Sequence, residues 1–290
     1  MSYNYFVTDV FSDVAYGGNP LAVFVDGSGL DSRQMQAIAR EMNLSETTFV
    51  TKGSAPGRFN VRIFTPTSEL PFAGHPTVGT SVVLAETGLA EGRSEIILDV
   101  PAGAVNVSLT PGKATFTLHQ GPNRTESPAS ADVIAKSLGV PAGAVIGTPW
   151  HADYNGVGYL CVELADAAAV DSSSLSPEEF FRLKLPGIGV YAFASTSREA
   201  GREGIYVRSF VHGVGVPEDP ATGAAAALLA GTRLDAQHEG SCSLEIRQGV
   251  KMGRPSLIQT NAQLRDGVVS SVAVGGHSVL VTEGKLLRVP

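Results

Sequence analysis

The sequence predicts an α+β protein of two similar lobes, each a curled, barrel-like sheet around a mostly apolar central helix. Three observations lead there. The chain has 290 residues, and at about 150 residues per domain that points to two compact units. Short apolar, β-rich runs alternate with Gly/Pro clusters and a few helical stretches. The second half also repeats the first in outline. Val61-Arg62-Ile63-Phe64 matches Val207-Arg208-Ser209-Phe210 at an offset of 146, and His75-Pro76-Thr77-Val78-Gly79 matches Asp219-Pro220-Ala221-Thr222-Gly223 at 144. Thr48-Phe49-Val50-Thr51 matches Ala192-Phe193-Ala194-Ser195, again at 144. Near-constant spacing over three elements favours duplication over coincidence.

Tyr5–Val10 and Leu21–Val25 read as strands, separated by the turn-formers Tyr16-Gly17-Gly18-Asn19-Pro20. Asp31–Met42 places Met35, Ile38, Ala39 and Met42 at helical spacing behind Asp31 and Ser32 as caps. Thr47–Thr51 and Phe59–Phe64 are strands. Gly74-His75-Pro76 then opens a helix over Thr77–Glu86, with proline in its first turn and Gly88 closing it. Strands follow at Glu95–Val100, Ala104–Leu109 and Ala114–Leu118, and the Pro/Ser-rich stretch Gly121–Ser130 reads as a linker. Lobe 1 is thus expected over residues 1–118, a linker over 119–129 and lobe 2 over 130–277, whose own apolar helix begins at Ala224.

Composition excludes several functions. A net charge of −7 with no Lys/Arg cluster argues against a nucleic-acid partner. Cys161 and Cys242 stand 81 residues apart with no CxxC spacing, so neither a disulfide framework nor a structural metal is expected. The longest apolar run, Ala224–Ala230, is far below the ~18 residues of a membrane span. With no leader-like N-terminus, a soluble, cytoplasmic protein is expected.

Chemistry has few places to sit. A helix N-terminus presents unpaired N–H groups and partial positive charge, and Gly74 and Gly223 would let a carboxylate or phosphate approach the backbone. His75 and Asp219 occupy matching positions before the helix prolines. An aspartate there is explained equally well as an N-cap. Histidine is a poor cap, and its imidazole suits proton handling beside a bound acid. Glu46, where Leu44-Ser45-Glu46-Thr47-Thr48-Phe49 enters a strand, would by itself read as a surface glutamate. His119, His151, His212, His238 and His277 are scattered singly and read as surface or satisfied core groups. Nucleotide, serine-hydrolase and zinc-protease motifs are absent, which leaves cofactor-free chemistry with no metal.

Five segments together resemble the PhzF family, named for an isomerase of phenazine biosynthesis. They are Tyr16-Gly17-Gly18-Asn19-Pro20-Leu21-Ala22-Val23-Phe24, Ser45-Glu46-Thr47-Thr48-Phe49, Phe72-Ala73-Gly74-His75-Pro76-Thr77, Glu218-Asp219-Pro220-Ala221-Thr222-Gly223, and Gln248-Gly249 with Gly253-Arg254-Pro255-Ser256. The resemblance spans nearly the whole chain and implies the diaminopimelate epimerase-like fold, with the active site between two pseudo-symmetric lobes. It also implies that residues 278–290 return to lobe 1. Epimerases of this fold carry a cysteine near the start of each central helix, where this chain has Ala73-Gly74-His75 and Ala221-Thr222-Gly223. The resemblance assigns proton transfer to Glu46 with His75 and Asp219 in support, and places Asn19, Gly74, Gly223 and Ala224 at the substrate.

Ala224 replaces a serine that the family pattern has after the glycine of its DPxTG motif. A site built to pair a hydroxyl discriminates strongly by that bond, so a substrate other than the phenazine precursor dihydro-hydroxyanthranilate is expected. The function expected is a cofactor-independent isomerase in a biosynthetic process, moving a proton on a small carboxylic acid. The alternative is a non-catalytic small-acid binding protein on the same scaffold. The resemblance further implies a homodimer. Light scattering should therefore return twice the 30.1 kDa chain mass across a range of concentrations, and a constant mass near one chain would exclude it.

Overall fold

The computed structural model describes residues 2–154, 156–184, 187–199, 201–212, 217–233 and 240–290. His238 lies outside them. Contacts group the chain into two compact units, Met1–Thr117 with Val274–Pro290, and Leu118–Ala273.

The first unit contains β1 (Tyr3–Val10), β2 (Asn19–Phe24), α1 (Ser32–Met42), β3 (Glu46–Lys52), β4 (Arg58–Phe64), β5 (Glu69–Leu70), α2 (Gly74–Glu86), β6 (Glu95–Val100), β7 (Gly103–Thr110) and β8 (Lys113–Leu118). Neighbouring strands run β1-β2-β3-β4-β6-β7-β8, with β5 a short addition to β4. The last strand of the chain, Val268–Leu286, pairs with both β8 and β1 and so closes a barrel of eight strands. Two neighbouring pairs are parallel, β2 with β3 and β4 with β6. Parallel neighbours need crossover connections, and α1 and α2 supply them.

The two helices differ because their sequences do. Helix α1 is amphipathic: Met35, Ile38 and Ala39 are buried in a cluster with Phe24, Phe49 and Phe64. Asp31 and Gln34 form a reciprocal capping box at its start, and Asn43 in the left-handed conformation ends it. Helix α2 has no polar face, and every residue from Gly74 to Leu84 is buried. Such a helix belongs in a core rather than on one, and α2 packs against β1, β2, β3 and β7. Its hydroxyls are satisfied within the barrel. Thr77 and Ser81 donate to the carbonyls of Ala73 and Thr77, and Thr80 pairs with Thr48 at 2.9 Å. At Gly79 a Cβ would stand 2.5 Å from Val10 Cγ2 and 2.7 Å from Leu21 Cδ2, so the missing side chain is what lets α2 approach the wall.

The second unit contains β9 (Asn123–Glu126), α3 (Ala131–Ser137), β10 (Trp150–Tyr154), β11 (Val157–Glu163), α4 (Ala167–Ser172), α5 (Pro177–Leu183), β12 (Gly189–Glu199), β13 (Arg202–Phe210), α6 (Gly223–Arg233), β14 (Gly240–Gln248), β15 (Ser256–Arg265) and the first part of β16 (Val268–Leu286). Its pairings repeat the first unit's succession. Antiparallel β10–β11, parallel β11–β12, antiparallel β12–β13, parallel β13–β14 and antiparallel β14–β15 follow the order of β1–β2, β2–β3, β3–β4, β4–β6 and β6–β7. The mostly buried α6 packs against β10, β11, β14 and β15. The Pro/Ser-rich stretch from Gly121 holds β9, paired with β10 through Thr125↔His151 and its neighbours. An available strand edge outweighs local turn chemistry there.

The C-terminus of α6 carries a buried ion network. Arg233 reaches Glu163 at 2.7 Å and Glu203 at 2.6 Å, and its guanidinium lies 5.2 Å from the centre of the Phe193 ring. Cys161, buried on β11, and Cys242 on β14 are both free thiols. Among the described residues no helix is long and apolar enough to cross a membrane, and no cluster of three or more His, Cys, Asp or Glu could hold a metal ion.

Burial alone would raise the pKa of Glu203, but hydrogen bonds from Arg233, Ser195 and Arg198 outweigh it and hold the carboxyl at about 2, below its ordinary 4.5. A depressed carboxylate contributes stability that is present above the unfolded value and lost as pH falls towards the folded one. Between pH 6 and pH 3 this group should therefore cost the wild type about 2 kcal/mol of unfolding free energy. That loss should be missing from Glu203→Gln in urea melts at the two pH values; identical pH slopes would remove the assignment.

Candidate active site

In the first unit, strand register brings the chemistry to one place. Asn19 opens β2 and Glu46 opens β3, and Leu21 pairs with Glu46, so both residues lie at the same end of parallel neighbours. Helix α2 begins at Gly74 and presents His75 from its first turn. The N-cap residue Ala73 makes no side-chain hydrogen bond to the helix end, which leaves that end without the side-chain oxygen that usually serves it. His75 Nε2 stands 3.2 Å from Glu46 Oε2. The contact is off hydrogen-bond alignment, in a geometry that rotation of the carboxylate changes. The Glu46 side chain is 16% exposed against 6% for His75, with its Oε2 itself buried. Burial pushes the His75 pKa down to about 3, and the ring is neutral at working pH.

Asn19 is fully buried. Its Nδ2 lies 3.2 Å from His75 Nδ1, and its Oδ1 accepts from the Ser45 hydroxyl at 3.3 Å. Both ends of the Asn19 amide thus meet neighbouring protein groups.

The second unit has its own centre, the segment Glu218–Gly223 ahead of α6. Asp219 bridges to Ser209, its N–H donating to the Ser209 carbonyl at 2.9 Å, and its Oδ2 accepts from Thr222 Oγ1 at 2.6 Å. Gln248 is fully buried and uses its whole amide. Its Nε2 donates to the Asp219 carbonyl at 2.6 Å and to Thr222 Oγ1 at 2.8 Å. Its Oε1 accepts from the Thr222 N–H at 3.1 Å and the Tyr191 hydroxyl at 3.2 Å. Gly249, at φ 73°, takes a left-handed conformation where a Cβ would meet the carbonyl oxygens of Arg254 and Pro220. Arg208 clamps Glu218 at 2.9 and 2.7 Å, just as Arg62 clamps Glu69 in the first unit. Gly223 and Ala224 form the start of α6.

The structure corrects the pairing of His75 with Asp219. Helix α2 begins at Gly74 and includes Pro76, whereas α6 begins at Gly223, after Pro220. Aligned on the helices, Gly74 matches Gly223 and His75 matches Ala224, while Asp219 lies ahead of the helix. Proline is equally at home in a first helical turn and in the extended segment before one, so it marks a helix opening only to within about a turn. Nor is Asp219 an N-cap, since Thr222 directly precedes the helix and Asp219 binds its hydroxyl. The predicted residues thus form two groups: Asn19, Glu46, Gly74 and His75 in the first unit, and Asp219, Gly223 and Ala224 in the second. The parts played by Ser45, Thr222 and Gln248 were not anticipated, although all three lie within the motifs singled out above.

A model of the phenazine biosynthesis-like protein family, PhzC-PhzF, matches residues 8–284. An uncharacterized isomerase of Mesorhizobium japonicum is 39% identical, the match covering 98% of each chain. The trans-2,3-dihydro-3-hydroxyanthranilate isomerase of Pseudomonas aeruginosa is 36% identical, over 98% of this chain and 99% of that protein. In fold, the chain is similar to a PhzF-family phenazine biosynthesis protein of Bacillus anthracis, with a TM-score of 0.87 at 21% identity over 99% of this chain and 100% of that one. Family match, full-length relatives and fold agree, and the chain belongs to the phenazine biosynthesis-like PhzC-PhzF family.

Proposed function

We propose that this PhzF-type isomerase moves a proton between carbon atoms of a small carboxylic acid, using its own side chains and no cofactor. The observation that carries the reading is the Glu46–His75 pair: a partly buried glutamate whose carboxylate stands 3.2 Å from a buried, neutral imidazole at the start of a buried helix. Glu46 takes the proton from carbon and becomes the neutral acid. The C–H electron pair passes into the adjoining π system, the double bond shifts, and Glu46 returns the proton at a second carbon. The negative charge that develops on the way is stabilised by donors that need not reorganise, the N–H groups at the start of α2 and the His75 ring.

The acid's own carboxylate is assigned to the backbone at Gly74, at the start of α2. Two features support a carboxylate base over a pair of thiols. Cys161 and Cys242 lie on β11 and β14, and the helix starts carry Gly74-His75 and Gly223-Ala224. The relatives named for trans-2,3-dihydro-3-hydroxyanthranilate make that acid the first compound to try, alongside other small unsaturated and amino acids.

Uptake of solvent deuterium into the acid, followed by NMR, separates catalysis from binding, because a protein that only binds exchanges nothing. Glu46→Gln should lower the exchange rate by about 10²–10⁴. Its melting temperature should change little, since substitutions at a partly exposed polar site usually do. Wild-type exchange by the variant would move the proton to another residue, and unfolding would make Glu46 a structural carboxylate. Ala224→Ser should raise turnover of trans-2,3-dihydro-3-hydroxyanthranilate by about 10-fold or more, the worth of one well-placed hydrogen bond. Equal rates would remove Ala224 from specificity.

A further inference from the structure

We infer that Asn19 is a positioning residue that sets the tautomer of His75, keeping Nδ1 unprotonated and the ring proton on Nε2, where it faces Glu46. The inference rests on the reading of Glu46 as the working carboxylate. It starts from three contacts within the first unit: Ser45 Oγ to Asn19 Oδ1 at 3.3 Å, Asn19 Nδ2 to His75 Nδ1 at 3.2 Å, and His75 Nε2 to Glu46 Oε2 at 3.2 Å.

The carboxylate end of this series restricts each next member. An ionised carboxylate offers only acceptors, so a hydrogen on the nitrogen 3.2 Å from it is favoured over a lone pair there. A neutral imidazole has one N–H, and with that hydrogen on Nε2 its Nδ1 is a bare acceptor. Nδ1 then needs a donor, and the Asn19 amide nitrogen is the group at that distance. The amide oxygen is left as an acceptor, and the Ser45 hydroxyl donates to it. With the amide turned the other way, Nδ1 would hold the proton and a lone pair on Nε2 would face the carboxylate, a repulsion in a site where the ring is almost wholly buried.

Burial of Asn19 at 0% exposure keeps water from substituting for the amide. Its backbone is held as well, because Asn19 pairs with Val10 in the β1–β2 ladder. During turnover the fixed Nε2–H serves Glu46 in two ways. Once rotation brings the charged carboxylate into line it accepts from that N–H, and the N–H remains a donor for negative charge developing on the substrate. The opposite tautomer would do neither. In the serine-protease triad, exchanging the carboxylate behind a histidine for an amide imposes the wrong tautomer and costs about 10⁴ in kcat. Here the amide is the native group, and the carboxylate would be the error.

The test is 15N NMR of the histidine-labelled, resting full-length protein, with His75→Gln used to assign the His75 signals. Wild type should show a pyrrole-like, protonated Nε2 and a pyridine-like, bare Nδ1. In Asn19→Asp, a near-isosteric change that turns the donor into an acceptor, Nδ1 should become protonated. Deuterium exchange by that variant should fall by about 10²–10⁴ in kcat with KM little changed. A protonated Nδ1 in wild type overturns the inference, and so does a bare Nδ1 in a folded Asn19→Asp. If the variant does not fold, the wild-type spectrum decides. Because the tautomer is read without substrate, its failure is distinguishable from failure of the proton-transfer reading, which the deuterium assay tests separately.

Discussion

A helix with no polar face has to be covered on every side, and the first unit is organised around that requirement. From Gly74 to Leu84 no residue of α2 is exposed. Strands on one side could not bury it, and the wall that surrounds it closes only because the chain's last strand joins β1 to β8. The C-terminal segment is thereby tied to the N-terminal one, from Tyr3↔Leu286 to Val10↔Ser278. Burying Thr77, Thr80 and Ser81 is tolerable because each hydroxyl finds a partner inside the barrel.

The same constraint produces the site. The start of a buried helix presents backbone N–H groups and, here, His75 at the end of the barrel where β2 and β3 begin. Strand register determines that Asn19 and Glu46 are the side chains it meets. Since the ring is held in low-dielectric surroundings, its neutral form is favoured and its hydrogen-bond partners decide its chemistry. Burial of the ring and its proximity to Glu46 are two results of one placement.

The second unit repeats the pairings but has a different centre. Its core helix begins with Gly223-Ala224, with no counterpart of His75, and the polar groups lie instead in the segment ahead of the helix. That segment is held by a buried amide, Gln248, whose four hydrogen bonds leave it no freedom to reorient. The repeated pairings thus carry two unlike polar centres: an imidazole–carboxylate pair in one unit and a braced aspartate in the other.

Much of this was written in local sequence. Alternating strands, the amphipathic α1 with its Asp31 cap, the apolar central helices and the duplication all depend on periodicity and turn chemistry, which short segments carry by themselves. The motif around Glu46 and the helix opening at His75 were equally legible as motifs, with the PhzF resemblance tying them together. What local sequence could not determine was which atoms meet. Two prolines suggested that His75 and Asp219 were equivalent, and only the helix starts showed a register shifted by several residues. Asn19 was legible as a motif residue, and only the β1–β2 and β2–β3 pairings bring it to His75. Gln248 stood at the end of a strand with nothing nearby in sequence to mark it as the brace for a loop 26 residues earlier. The physical reason is range. Propensity and amphipathicity act over a few neighbouring residues, whereas hydrogen bonds such as those of Asn19 and Gln248 join groups that only strand register and helix packing bring within 3 Å or so of each other.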